Sequence, residues 1–544
     1  MLRTLRYLWR AKRLSRNPLR LRRFHSHNDL IGLLRNGYFS DLLPSKSEKY
    51  LNELPYCSIY MGVDPSADSL QLGNLVPLMG LLRCHLLGYE IITVVSLFFI
   101  SSTVYFCEPE IGTGTAMVGD PSGRLTKRTM QSSNQFEVNT KGIENDLKTV
   151  FQNYREQFFP RIKHSEPSQS IRTLQNIDWL GKFSCLEFID HVALHFRVPE
   201  LLEKERQVPP FNIRFVKLRL ESGNGMDLGE FLYPALQAAD FLHLYENYNC
   251  RVQIGGQDQL GNINCGLTLI QRKLGKHAFG LTVPLLTTQD GTKFGKSSSS
   301  SEVGSTKLWL SKSKLLPYTF YQQILNFPDS MVSAKLLRQL TFFTPERIDS
   351  LMKDHANSSH NRPVQRSIAQ ELTLLVHGVD GLQSSELATR IFFPRRQSTV
   401  GQTKRTAVDV INEDLNPTER NYLMECLHPN SGLLPVIHAD LPVGHPSIGE
   451  WFRQVLLQTI DVHSDSTTNL KACMHKGISL NDVVLFKPSN ATSTDGRLVE
   501  PNVFADSMLI DRINTAIQRR DSATGLSILK IGKHDHWFLA TRTS

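Results

Sequence analysis

Tyr233, Gln237 and Asp240 fall at i, i+4 and i+7 of the run DLGEFLYPALQAADFLHLYENY, in which Leu232, Leu236, Ala239 and Leu242 recur at helical spacing. Three polar groups on one helical stripe can hydrogen-bond a small polar aromatic molecule, although a stripe alone is also the pattern of a solvated face. GGQDQLGN, Gly255 to Asn262, follows the strand-like CRVQI. Its glycines let backbone come close to a ligand, while Asp258 and Gln259 offer an acceptor and an amide. GTKFGKS, Gly291 to Ser297, then sets Lys293 and Lys296 three residues apart. Two ammonium groups at that spacing suit a pyrophosphate that gains charge as it leaves. This loop lacks the Walker spacing, and short Gly/Lys/Ser stretches are commonly solvated turns.

The elements that must position these groups have their own signatures. In SIYMGVDPSADSLQLGNLVPLMGLLRCHLLGY, Ser58 to Val63 alternates like a strand, Asp64-Pro65-Ser66 is a turn, and Leu75 opens an apolar helical repeat. Gln71-Leu72-Gly73-Asn74 therefore sits where a strand enters a helix, and helix N-termini favour phosphates. Downstream, GTGTAMVGDPSGR, Gly112 to Arg124, supplies further glycines and the acid Asp120.

Together these residues resemble the tyrosyl-tRNA synthetases of the bacterial and mitochondrial type, which are class I aminoacyl-tRNA synthetases. YxGxDPxADSLxxGxL, GDPSGR, the Tyr/Gln/Asp helix, GGxDQxGN and KFGKS occur here in that family's order and spacing, from about Tyr56 to Leu382. The resemblance implies an α/β fold. A Rossmann-like parallel-sheet catalytic domain with a helical insertion would be followed by an α-helical anticodon-side domain and a small α+β RNA-binding module.

It also implies roles. Tyr60 and Asp240 correspond to the pair that hydrogen-bonds the phenolic hydroxyl of tyrosine; Asp120, Tyr233 and Gln237 correspond to the groups that hold its ammonium, and Gln259 to the one that orients its carboxylate. Gly62, Asp64, Ser66, Gly73, Gly256 and Asp258 match the ATP-binding edge, together with Lys293, Lys296 and Ser297. Gln71, Asn74, Lys293 and Lys296 would be the catalytic set. The tyrosine carboxylate would attack the α-phosphate of ATP, and a ribose hydroxyl of tRNA(Tyr) would then take the tyrosyl group. Mg²⁺ is expected with the ATP, and no metal cage built by the protein. The implied activity is a tyrosine–tRNA ligase, and the rival reading is a synthetase-derived RNA-binding protein with weak or no catalysis.

Three departures from the family pattern bear on that choice. The His-x-Gly-His signature reads Gln71-Leu72-Gly73-Asn74, in which Asn can present an amide nitrogen much as His presents a ring nitrogen, but Gln71 is longer and always neutral. Leu260 stands where the family often has Trp, which reads as a packing change. Val95 to Glu110 is an extra run, expected to interrupt a central parallel strand. Its VSLFFISSTVYFC is shorter than the roughly 20 residues a membrane span needs. Removing the run restores the family spacing, so a gene-model artefact such as a retained intron is its expected source, against a tolerated surface excursion at the strand end.

With 544 residues there is room for three or four domains, and the net charge is +9. Met1 to Asn28 holds nine Lys/Arg and no acid, interspersed with Leu, Trp and Ser and lacking an unbroken apolar core. It reads as a mitochondrial transit peptide over 1–28, against a basic RNA-binding arm, and places the protein in the mitochondrial matrix. Eight cysteines without a CxxC pair indicate neither a zinc site nor a disulfide framework. No stretch reads as a membrane span. The expected organisation is a catalytic domain over 29–304, with the connecting insertion that dimerises in this family at 124–220. A helical domain would follow over 305–392, an unplaced linker over 393–446 and the RNA-binding module over 447–544. The partners implied are tRNA(Tyr), tyrosine, ATP and a second copy of the chain.

Overall fold

The structure is a computed structural model that describes residues 30–96, 133–163, 169–203, 228–286, 307–393, 410–428 and 431–438, and the strand segments 478–480, 483–486, 526–531 and 535–540. By contacts the chain divides into two units, one of residues 1–307 with 327–368 and the other of 308–326 with 369–544.

The first unit is built on a six-stranded sheet: β1 (Asp41–Leu43), β2 (Ser58–Val63), β3 (Glu90–Val95), β4 (Ile171–Gln175), β5 (Cys250–Gly256) and β6 (Phe279–Val283). Their order across the sheet is β1-β6-β5-β2-β3-β4. β1 runs antiparallel to β6, and the other neighbours are parallel. The core strands read as near-continuous apolar runs because both faces are covered, as parallel sheets require. Chain order runs outward from β2 through β3 to β4, then returns to β5 on the other side of β2. The reversal between β2 and β5 opens a crevice at their C-terminal ends, the place where open α/β sheets bind ligands.

Four helices position what lies there: α1 (Leu72–Leu86), α2 (Ser133–Asn153), α3 (Leu228–Asn247) and α4 (Leu260–Leu274). The last ends on Gly275 at φ 64°, a left-handed cap that glycine adopts without steric cost. Residues 124–220 are mainly helical where described, yet they also contribute β4, the edge strand beside β3.

β3 is complete. It pairs residue for residue with β2 from Ser58↔Glu90 to Val63↔Val95, and the Ser96 N–H still donates to the Val63 carbonyl at 3.0 Å. The extra run expected to break a central strand therefore begins only at that strand's last residue, and 97–110 lie outside the described residues.

Two boundaries read from the sequence move. Residues 327–368 belong with the catalytic unit rather than with one helical domain over 305–392. Arg83 of α1 shows why: its buried guanidinium donates to the carbonyls of Arg338 and Thr341 at the end of α5 (Ala334–Leu340) and lies 4.5 Å from the Tyr38 ring centroid. Burial pulls its pKa down to about 10.

In the second unit, 393–446 is not merely a linker. Val410, Ile411, Leu423, Cys426 and Leu434 share one core with Tyr318 of α6 (Pro317–Leu325) and with Leu387 and Ile391. Asn416 caps the helix Pro417–Leu427 by accepting from the Glu419 N–H at 2.8 Å. β7 (Val436–His438) then joins a second sheet with β8 (Ile478–Leu480), β9 (Val483–Phe486), β10 (Leu526–Ile531) and β11 (Asp535–Ala540), ordered β7-β11-β10-β8-β9. The C-terminal module thus recruits a strand from before residue 447.

Candidate active site

α3 buries Ala235, Ala238, Phe241 and Leu244, and the same side of the helix carries Tyr233 and Asp240. The predicted polar stripe is therefore not a solvated face. Asp240 is 4% exposed, and both of its oxygens are held: Asn176 Nδ2 donates to Oδ2 at 3.0 Å and Trp179 Nε1 to Oδ1 at 2.8 Å. Trp179 is itself stacked on His243, with centroids 4.4 Å apart. Burial raises the Asp240 pKa to about 7; the bonds from Asn176 and Trp179 oppose that rise and the charge of Asp64 adds to it.

Tyr60, on β2, is 1% exposed, and its ring lies 5.1 Å from that of Phe241. Its hydroxyl has no hydrogen-bond partner among the described residues. Burial, and then the neighbouring charge of Asp240, push its pKa well above the ordinary phenol value. A buried hydroxyl without a partner costs free energy, so its place beside a fixed carboxyl leaves room for a partner that the described residues do not supply. A ligand hydroxyl meets both needs, because it can accept from Tyr60 and donate to Asp240.

Tyr233 points its hydroxyl at Asp64, donating to Oδ1 at 2.8 Å and Oδ2 at 3.0 Å. Gln237 and Gln259 are joined through Asn262, whose Nδ2 donates to the Oε1 of each at 3.0 and 3.1 Å. This bridge fixes which way both amides face. Asp120, assigned with Tyr233 and Gln237 to the ammonium group, lies outside the described residues, as do Lys293, Lys296 and Ser297.

At the opposite edge, β2 leads through the loop Asp64–Gln71 into α1. Gly62 and Gly73 are exposed, and a Cβ at either would meet nothing within 4 Å among the described residues. Backbone is bare there and has room for a ligand to approach. Ser66, also exposed, donates its N–H to the Asp64 carbonyl at 2.8 Å. Asn74 spends its side-chain oxygen on the Gln71 N–H at 3.0 Å, which leaves its amide nitrogen as the donor not used in capping. Gly255 and Gly256 serve a different need: a Cβ would lie 2.9 Å from Gln259 Cβ at the first and 2.4 Å from Asp258 Oδ1 at the second. Without side chains there, the turn Gln257–Gln259 can fold its acid and amide back over the end of β5. Leu260 packs against the core shared by α3 and α4, consistent with a packing change at that position.

Residues 55–394 match the family described as tRNA synthetases class I (W and Y). The chain belongs to this family. Among the synthetase's relatives, the mitochondrial tyrosine–tRNA ligase of Drosophila melanogaster is 35% identical over 378 residues, covering 68% of this chain and 75% of the relative. The mitochondrial tyrosine–tRNA ligase of Homo sapiens is 34% identical over 390 residues, covering 69% and 73%. The crystal structure of a C-terminally truncated mitochondrial tyrosyl-tRNA synthetase from Aspergillus nidulans superposes with a TM-score of 0.54 at 26% identity. It covers 66% of the synthetase and 93% of that chain.

Of the residues singled out in the sequence, the structure brings Tyr60, Asp64, Tyr233, Gln237, Asp240, Asp258 and Gln259 to the crevice between β2 and β5, with Gln71 and Asn74 at the entry to α1. Three polar residues of this site escaped sequence reasoning. Asn262 closes the GGQDQLGN motif and could have been found there. Asn176 and Trp179 lie 64 and 61 residues from Asp240, and nothing in LQNIDWLG marks them as its partners.

Proposed function

We propose that the synthetase is a mitochondrial tyrosine–tRNA ligase. The observation that carries this reading is the buried Tyr60 hydroxyl beside Asp240, which has no partner among the described residues. A phenol completes that pair, whereas phenylalanine leaves both groups unsatisfied. Tryptophan has a donor N–H but no acceptor for the Tyr60 proton.

Tyrosine enters with its hydroxyl at Tyr60 and Asp240, and its ammonium faces Tyr233, Gln237 and Asp120. Gln259 orients the carboxylate. One carboxylate oxygen forms a bond to the α-phosphorus of ATP as the bond to the β-phosphate bridging oxygen breaks, releasing pyrophosphate and leaving tyrosyl-adenylate. A ribose hydroxyl of the terminal tRNA adenosine then attacks the tyrosyl carbonyl and AMP departs. No protein side chain becomes covalently modified, so acceleration rests on positioning and on charge stabilisation. Gly62, Asp64, Ser66, Gly73, Gly256 and Asp258 border the nucleotide, with Lys293, Lys296 and Ser297 on its phosphates. Mg²⁺ arrives with ATP as part of the substrate.

A homodimer is supported by the helix Cys185–His191, none of whose residues is buried, and by the segment after it: Leu186 is 78%, Leu194 71% and Val198 58% exposed. Apolar exposure on that scale marks an interaction face. The basic, acid-free stretch 1–28 supports delivery to the matrix.

Tyrosine-dependent ATP/pyrophosphate exchange, with phenylalanine and tryptophan as competitors, tests the reading. Exchange with tyrosine alone is expected. Its absence, both in the full chain and after excision of 95–110, would favour an RNA-binding protein without catalysis.

A further inference from the structure

The loop Asp64–Gln71 carries much of the nucleotide edge proposed above. Contacts from α2 help to hold it, a helix whose apolar residues Phe136, Ile143, Leu147 and Val150 are buried. Beside them, Asn139, Gly142 and Asp146 fall at i, i+3 and i+7 and share one stripe. Asn139, 1% exposed, donates through Nδ2 to the Pro65 carbonyl at 3.1 Å, its own oxygen held by Gln135 Nε2 at 2.9 Å. Asp146, 7% exposed, accepts at one oxygen from the Ser69 hydroxyl at 2.7 Å and the Leu70 N–H at 2.8 Å. Between them, Gly142 lets the loop touch helix backbone: a Cβ there would sit 2.0 Å from the Asp68 carbonyl oxygen. Glycine is disfavoured inside a helix, so its place in the middle of α2 needs a packing reason, and the Asp68 carbonyl supplies one. Tyr233 grips the same loop at its start, through Asp64.

We propose that Asn139, Gly142 and Asp146 are positioning residues for ATP. They set the height of the loop Asp64–Gln71 on α2, and thereby the distance between the nucleotide edge and the amino-acid pocket. This rests on the ligase reading above. None of the three touches substrate. A helix that served only stability would affect both substrates alike, whereas a loop support acts on one. Part of the insertion expected to dimerise thus also supports the nucleotide.

The test uses the full-length protein and reads ATP and tyrosine separately, by tyrosine-dependent ATP/pyrophosphate exchange and by equilibrium dialysis of each ligand. Gly142→Ala favours the helix but lifts the loop, so the KM and Kd for ATP are expected to rise about tenfold while those for tyrosine hold. Asp146→Leu should behave likewise. Asp146→Asn keeps an acceptor for Ser69 and Leu70 and should restore most of the ATP affinity. Should Gly142→Ala fail to fold, Ser69→Ala removes one loop bond without adding bulk and should weaken ATP alone. Unchanged ATP affinity in these variants, or equal losses for ATP and tyrosine, would overturn the proposal. A wild-type protein that binds ATP but exchanges no pyrophosphate would sink the ligase reading instead, with the dialysis still deciding the role of α2.

Discussion

The two halves of the proposed active site, one assigned to the phenol of tyrosine and one to the nucleotide, are built on opposite principles. At the phenol end, every protein group is buried and its orientation is fixed from behind: Asp240 by Asn176 and Trp179, Tyr60 by packing against Phe241. At the nucleotide end, Gly62 and Gly73 expose backbone to open space, and the loop between them is steadied from outside by α2 and Tyr233. The difference follows from what each end must recognise. One hydroxyl distinguishes tyrosine from phenylalanine, and it is worth most where water cannot substitute for it. A triphosphate is large, charged and common to many reactions, so it needs close backbone approach and correct placement more than a dry pocket.

Replacing Asp240 should break this contrast most severely. Asp240→Asn is expected to lower kcat/KM for tyrosine about a hundredfold in pyrophosphate exchange, as the loss of a charged hydrogen bond predicts, with little change in KM for ATP. Comparable losses for both substrates would mean that the two ends are not separable.

Loss of the Asn262 bridge comes next. Asn262→Ala frees Gln237 and Gln259 together and should cost about tenfold in kcat/KM for tyrosine, one modest hydrogen bond to each amide. Steady-state kinetics with both substrates varied would show it.

Titration sharpens the phenol end alone. With a pKa of about 7, Asp240 becomes an ionised acceptor only as pH rises through neutrality, so KM for tyrosine should fall across that range and then level. Trp179→Phe removes a bond that favours the charged form and should move the inflection to higher pH. Stability runs the other way in the tyrosine-free protein. The folded state holds a proton that an unfolded carboxyl releases near pH 4, so Asp240's contribution is present below about pH 4 and is lost as pH climbs through its folded value. Thermal unfolding of wild type and Asp240→Asn between pH 4 and 8 isolates that slope.

The smallest effect is expected at the helix entry. Gln71→His restores a ring nitrogen near the phosphates and should raise kcat for activation slightly, leaving KM for tyrosine untouched. A large rise would mean that the nucleotide end is limited by chemistry at this residue rather than by loop placement.

Whatever depends on neighbours along the chain could be read without coordinates. The i, i+4, i+7 placing of Tyr233, Gln237 and Asp240, the strand Ser58–Val63, the glycines of GGQDQLGN and the helix entry at Gln71 are local consequences of backbone period and steric freedom. Whatever depends on packing between distant segments could not. Residues 410–438 show weak periodicity because their apolar groups are completed by Tyr318, Leu387 and Ile391, and 327–368 join the catalytic unit through a buried Arg83 that sequence presents as an ordinary helix cation. Asp240 gives the clearest division. Its residue type and helical position are written in the chain, but its pKa of about 7 is set by burial, against which the bonds from Asn176 and Trp179 pull, and these meet only when β4 and α3 are brought together.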